Sequence, residues 1–215
     1  MKLESDGILI SLCPFDEKNA VAHIFSSEHG VMAGMIRGAL TAKSGRPLVG
    51  QIGAVTWNAR LDSALGVFHW EPEKNLSAAL LSDTKKLQFM NTAFDLVATL
   101  LPEREAYINL YNDTKNLLYA LAESNTPAEL YLQWEISLLR ELGYALDLSH
   151  CSGCGGKSDL VYLSPKTGRA VCASCGAPYV SRLYRLPITL DITRFFLEKI
   201  CNDMGIKMPT FRTMF

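Results

Sequence analysis

Four of the six cysteines fall within 25 residues, as Cys151-Ser152-Gly153-Cys154 and Cys172-Ala173-Ser174-Cys175, with seventeen residues between the pairs. Two Cys-x-x-Cys pairs at this separation match the four-thiolate zinc template. Two residues between cysteines let both sulfurs converge on one ion within a tight turn. Gly155 and Gly176 each follow the second cysteine of a pair, where a positive φ is expected to let backbone amides approach the sulfurs. Four protein thiolates complete a tetrahedron and leave no open position for a substrate. A zinc ion held by Cys151, Cys154, Cys172 and Cys175 is therefore expected to be structural. Such binding contributes on the order of 10 kcal/mol to local folding, enough to order an insert with little core of its own. A dithiol redox pair is the alternative use of the same residues. His150 would be a fifth ligand and is expected beside the site. Cys13 and Cys201 stand alone.

A second kind of chemistry is cationic. The stretch Arg37-Gly38-Ala39-Leu40-Thr41-Ala42-Lys43-Ser44-Gly45-Arg46 is a basic loop, and Gly30 to Ala59 holds these three bases and no acid, with Arg60 next. His150 to Pro187 holds five bases, Lys157, Lys166, Arg169, Arg182 and Arg185, against one acid, Asp159. Pro72 to Leu146 carries ten acids and six bases, so the formal net charge of −1 conceals an uneven distribution. A wholly basic nucleic-acid binder is excluded, but a basic face is not. Lys and Arg side chains of this kind bind phosphate backbones with salt-dependent affinity. Trp57, Phe68 and Trp70 are candidate stacking platforms for bases, and equally candidates for filling a core.

Other chemistries lack their residues. The string from Cys151 to Ser158 has no glycine where a phosphate loop needs its first one, and no strand precedes it. No His-x-Glu accompanies a Pro-Cys-x-x-Cys, as a zinc deaminase requires. There is no Gly-x-Ser-x-Gly, His-Glu-x-x-His or dinucleotide fingerprint. His23, His29, His69 and His150 are scattered. A hydrolase or deacylase with a structural zinc stays open as an enzyme reading, and a protein-interaction adaptor as a third.

These groups must be positioned by two kinds of element. Residues 1 to about 71 alternate with a two-residue period at Ile8-Ile10-Leu12, Val21-His23-Phe25, Val31-Ala33-Met35, Ile52 to Trp57 and Leu65 to Trp70. Turn residues such as Glu28-His29-Gly30 and Ser44-Gly45-Arg46-Pro47 separate them. Five short strands suit a small closed barrel, of which the OB-fold is one solution among several. After Pro72 the period becomes helical. Leu87, Met90, Phe94, Val97 and Leu101 mark one stripe; Tyr107, Leu110, Tyr111, Thr114, Leu117, Leu118 and Leu121 mark a second. Thr126-Pro127-Ala128-Glu129 opens a third, running through Leu130, Trp134, Leu138 and Leu142 to Gly143. Three stripes with short connections predict an antiparallel bundle. A fourth helix, from about Asp191 to Met204, is expected to pack back on it. Between the cysteine pairs, Leu160 to Leu163 and Arg169 to Val171 flank Ser164-Pro165-Lys166-Thr167-Gly168 as strand, turn and strand. No apolar run reaches the roughly 18 residues of a membrane span, and the acidic N-terminus lacks the pattern of a secretory signal. A soluble, cytoplasmic chain is expected.

This order of strand domain, helical bundle, zinc insert and closing helix resembles RecO, a family of bacterial recombination mediators and strand-annealing proteins. The likeness spans the whole chain. It is carried by Glu28-His29-Gly30, by the basic loop after Arg37-Gly38, by Glu141-Leu142-Gly143-Tyr144-Ala145-Leu146-Asp147-Leu148 running into Cys151, and by Ser164-Pro165-Lys166-Thr167-Gly168-Arg169. One departure lies before Trp134-Glu135, where family members often carry bases and this chain has Leu132-Gln133. The resemblance implies an α+β multidomain protein with an OB-fold-like DNA-binding barrel over 1–72 and a helical bundle over 73–148. A zinc-binding insert would occupy 149–187, and a C-terminal helix over 188–215 would pack on the bundle. It further implies binding of single- and double-stranded DNA, annealing of complementary strands and no catalysed covalent step. The implied partners are RecR, the C-terminal tail of single-stranded-DNA-binding protein and, functionally, RecA and RecF in RecF-type DNA repair. On that reading Arg37, Lys43, Arg46 and Arg60 contact phosphates, and Lys157, Lys166, Arg169, Arg182 and Arg185 widen the cationic surface.

Overall fold

A computed structural model describes residues 1–43, 45–60 and 65–214. Ser44, counted above in a turn and in the basic loop, lies outside the described residues. The chain divides into two compact units, Met1–Tyr131 with Pro209–Met214, and Leu132–Met208. The divisions drawn from the sequence at 72 and 148 fall inside these units.

In the first unit, alternating segments form β1 (Lys2–Pro14), β2 (Ala20–Ser26), β3 (Gly30–Ile36), β4 (Gln51–Asn58) and β5 (Gly66–Asn75). They close into a barrel in the order β1-β2-β3-β5-β4, with β1 pairing β4 across the seam. Every pairing is antiparallel except β3 with β5, which is parallel. Inward positions gather Leu9, Ile24, Met32, Val55, Trp57 and Phe68 into one core. Two strands exceed what alternation suggested. β1 serves two neighbours, pairing β4 from Lys2 to Ile8 and β2 from Gly7 to Pro14, so Gly7 to Ile10 are all buried. It alternates only from Lys2 to Asp6, and its ladder with β2 shifts register between Leu9 and Ser11. β5 continues through Pro72 to Asn75, with Pro72 at a second register shift, where a missing N–H is tolerated.

Helix α1 (Thr84–Leu100) starts where the Asp83 carboxylate accepts the N–H groups of Lys85 and Lys86. It buries Met90, Phe94 and Val97 and packs against β1 and α2 (Ile108–Glu123). Tyr111 of α2 meets Phe25 of β2 edge to face at 5.7 Å. The 3-10 turn Thr210–Met214 rests on α1, where the Phe211 N–H donates to Asp95. Helix α3 (Pro127–Glu141) begins in the first unit with proline at its first position and ends in the second.

In the second unit, β6 (Leu160–Leu163) lies between β7 (Ala170–Cys172) and β8 (Tyr184–Arg185). The short helix α4 (Ala173–Gly176) and a 3-10 helix (Ala177–Arg182) connect β7 to β8. Helix α5 (Leu190–Met204) buries Ile192, Phe196 and Ile200 and stops at Gly205, in the left-handed region at φ 69°. Among the described residues, no helix is long and apolar enough to cross a membrane.

Candidate metal centre and nucleic-acid interface

Register brings the two cysteine pairs together. Cys172 lies opposite Leu160 at the end of the β6–β7 ladder. The first pair is tied to the same hairpin, because the Ser152 N–H donates to the Ala170 carbonyl at 2.9 Å. Cys151 itself closes a tight turn, donating to Gly156 and accepting from Gly155 through its main chain. The sulfurs of Cys151, Cys154, Cys172 and Cys175 all lie within 4.8 Å of one another, and Cys154 and Cys172 are 3.8 Å apart. A tetrahedron with metal–sulfur bonds near 2.3 Å has edges of about 3.8 Å, so the cluster fits a single ion.

The electrostatics point the same way. Main-chain N–H groups of Cys172, Cys154 and Gly153 hold the Cys151 thiol down at about 6. The Ser174 hydroxyl and the Cys175 N–H lower Cys172. Cys175 is pushed up to about 12 by the crowding sulfurs of Cys172, Cys154 and Cys151. Four thiolates this close repel one another, and a divalent cation replaces their protons and turns that repulsion into attraction. All-sulfur ligation suits a soft or borderline ion. Cys151 and Cys172 are buried, Cys175 is half-buried and Cys154 is exposed. His150 stands outside, with Nδ1 2.7 Å from the Ser149 hydroxyl.

One expectation about the turns is corrected. Gly155 has the positive φ foreseen, at 75°, but Gly176 has a φ of −82°. Gly176 sits where α4 passes into the 3-10 helix, so its backbone is right-handed. Its lack of a side chain serves space, since a Cβ there would lie 2.5 Å from the Tyr162 ring.

On the barrel, a cleft of about 1020 Å³ is lined by Lys2, Arg37, Asn58, Arg60 and His69, with the edges of Phe68 and Trp70. Arg37 follows β3 and Arg60 follows β4, so the strand ends set both guanidinium groups at one opening. Lys43 and Arg46 are exposed beside the lining residues Ala42, Gly45 and Pro47 but do not line the cleft themselves. None of Arg37, Lys43, Arg46 and Arg60 makes a side-chain ion pair among the described residues. Lys157, Lys166, Arg169, Arg182 and Arg185 are all exposed on the second unit.

The aromatic candidates are placed differently from the stacking expectation. Trp57, Phe68 and Trp70 are 2%, 4% and 8% exposed, because the pleats of β4 and β5 turn all three into the barrel core. The Trp57 indole donates to the Ala33 carbonyl at 3.0 Å and that of Trp70 to the Gln51 side chain at 3.2 Å. Lys2 was not marked by the sequence, and His69 was read there only as a scattered histidine of an alternating strand. Their signal was register: Lys2 pairs with Asn58, and His69 with Thr56. Each has an acidic neighbour, Lys2 pairing with Glu4, and His69 Nε2 lying 2.8 Å from Glu71.

Residues 81–210 match the family described as Recombination protein O C terminal. The chain is 40% identical over 235 aligned positions to DNA repair protein RecO of Roseobacter denitrificans, covering all of this chain and 97% of the relative. It is 38% identical to the protein of the same name from a Ruegeria species, covering 95% of this chain and 92% of that one. It is also 38% identical to that of Beijerinckia indica, covering 87% and 75%. The chain belongs to the RecO family of DNA repair proteins.

Proposed function

We propose that this chain is a DNA-binding recombination mediator that holds single and double strands by their phosphates and anneals complementary strands. The observation that carries the reading is the barrel cleft, where Arg37 and Arg60 converge without ion-pair partners among the described residues. Cationic groups offset the repulsion between two polyanions, and base pairing then supplies the sequence information. The strand order β1-β2-β3-β5-β4 supports an OB-type barrel, an architecture that binds oligonucleotides. The first two helices and α3 are read as its bundle, and the four-part division at 72, 148 and 187 as its domain plan.

The four cysteines would hold one zinc ion, which fixes the fold of the insert and supplies no reaction step. No covalent chemistry is part of the reading. Among the described residues lining the cleft there is no serine, threonine or cysteine; Thr56, opposite His69 in the β4–β5 ladder, is not one of them, and the His69 ring pairs with Glu71. In the cell the chain would work with RecR to load RecA onto DNA coated by single-stranded-DNA-binding protein, whose C-terminal tail it would bind. RecF would act in the same pathway, in the cytoplasm. The test is annealing of complementary oligonucleotides without nucleotide, by the natural protein and by an Arg37→Ala/Arg60→Ala variant. Annealing by the natural protein and a marked loss in the variant are expected. Equal rates would move the DNA site elsewhere.

A further inference from the structure

We propose that the cysteine-bearing module carries a stacking platform for a second DNA strand, formed by Tyr179 and Arg182. The proposal rests on the DNA-binding reading above and adds a site to it. The 3-10 helix Ala177–Arg182 is unusual in burying none of its six residues. Tyr179 is 56% exposed and Val180 50%. Packing therefore gives no account of a tyrosine at this position. The helix is held at its ends, by Gly176 against the Tyr162 ring and by the Leu183 N–H on the Val180 carbonyl. Its outward side chains are free to meet something else.

Geometry and charge identify that something. Side chains three apart eclipse in a 3-10 helix, so the phenol of Tyr179 and the guanidinium of Arg182 share one face. Three residues further, Arg185 stands exposed in β8. Neither arginine makes a side-chain hydrogen bond or ion pair among the described residues. An open ring beside unpaired cations, on a segment with five bases and one acid, fits bases that stack and phosphates that pair. Arg185 also lines a cleft with Leu132, Ile136, Leu160 and Leu186, so the platform proper is the Tyr179 ring with Arg182. Annealing needs two strands held with their bases presented. The barrel cleft takes one; the platform would take the other. It also supplies the exposed aromatic that Trp57, Phe68 and Trp70, turned into the core, do not.

The experiment uses the full metal-loaded chain, a fluorescein-labelled oligothymidylate for single-strand binding, and a stopped-flow assay with two complementary oligonucleotides. Losing one base–aromatic stack is expected to slow annealing about tenfold in Tyr179→Ala, while oligothymidylate binding at the barrel changes about twofold or less. Tyr179→Phe, which keeps the ring, is expected to anneal at the natural rate. An unchanged rate in Tyr179→Ala, or an equal loss in Tyr179→Phe, would overturn the platform. Failure of the natural protein to bind or anneal DNA at all would instead overturn the reading on which the platform rests, so the two failures are distinct.

Discussion

Thr193 donates its hydroxyl proton to the Glu135 carboxylate at 2.5 Å, and both side chains are withdrawn from solvent. The contact ties α5 to the C-terminal half of α3 by a polar bond within apolar surroundings. Removing the hydroxyl leaves a buried carboxylate short of one donor, which typically costs about 1–3 kcal/mol. Thr193→Val, which keeps the shape, is therefore expected to lower the thermal midpoint followed by circular dichroism. Thr193→Ser should keep most of it. A valine variant as stable as the natural protein would show that the bond contributes nothing net.

The cleft makes a quantitative forecast. Each phosphate contact to a single strand adds about 0.7 to the salt slope of binding, so Arg37→Ala/Arg60→Ala should flatten it by about 1.4. Lys43→Ala/Arg46→Ala removes two charges that lie beside the cleft and should flatten it less. Fluorescence titrations over a range of salt concentrations measure both. Equal effects of the two pairs would mean that loop and cleft hold the strand alike, and a larger effect of Lys43→Ala/Arg46→Ala would move the strand from the cleft to the loop.

Purified protein is expected to hold about one zinc per chain by elemental analysis, as a closed four-thiolate site does. A strong chelator should then expose the segment 149–187 to protease while the barrel stays resistant. Metal-free protein with an equally resistant insert would remove the structural role.

Tyr111 has its hydroxyl buried with no hydrogen-bond partner among the described residues. Its burial, with Asp6 and Glu73 nearby, pushes the phenol up to about 12. An unfolded tyrosine ionises near 10, so between about 10 and 12 the unfolded chain gives up a proton that the folded chain keeps. Stability linked to this residue is therefore complete below about 10 and falls as pH rises through that window. Tyr111→Phe should abolish this part of the alkaline loss. At neutral pH it should stabilise the protein by on the order of 1 kcal/mol, because a buried unsatisfied hydroxyl is removed. Denaturant titrations at neutral and alkaline pH test both statements.

Gly30, within the Glu28-His29-Gly30 turn, has a φ of 65°, and a Cβ there would lie 1.8 Å from the Glu105 carbonyl oxygen. Gly30→Ala therefore combines a left-handed cost of about 1 kcal/mol with a collision against main chain that cannot swing away. A loss well above 1 kcal/mol is expected. Gly45→Ala, with φ 64° and open space around it, should lose only the first part. Similar losses at the two positions would refute the contact argument.

What the sequence disclosed was what is local. The cysteine pairs could be read because the two members of each lie only three residues apart. The stripes of α1 and α2 could be read because their faces repeat every turn. The Glu135–Thr193 bond could not, since its partners are 58 residues apart and nothing in either helix marks the other. The parallel pairing of β3 with β5 was hidden for the same reason, and with it the convergence of Arg37 and Arg60. β8 is two residues long, too short to show a period. The aromatic rings were ambiguous because a residue type suits either face of a strand until register assigns one.

The strap formed by residues 147 to 152 has a further effect. The Asp147 N–H bonds to the Gly168 carbonyl, the Ala170 N–H to that of Asp147, and the Ser152 N–H to that of Ala170. These rungs involve no sulfur: they fasten the approach to the first cysteine pair onto the β6–β7 hairpin by main chain alone, so an ion would have only the remaining turns of the insert left to draw together.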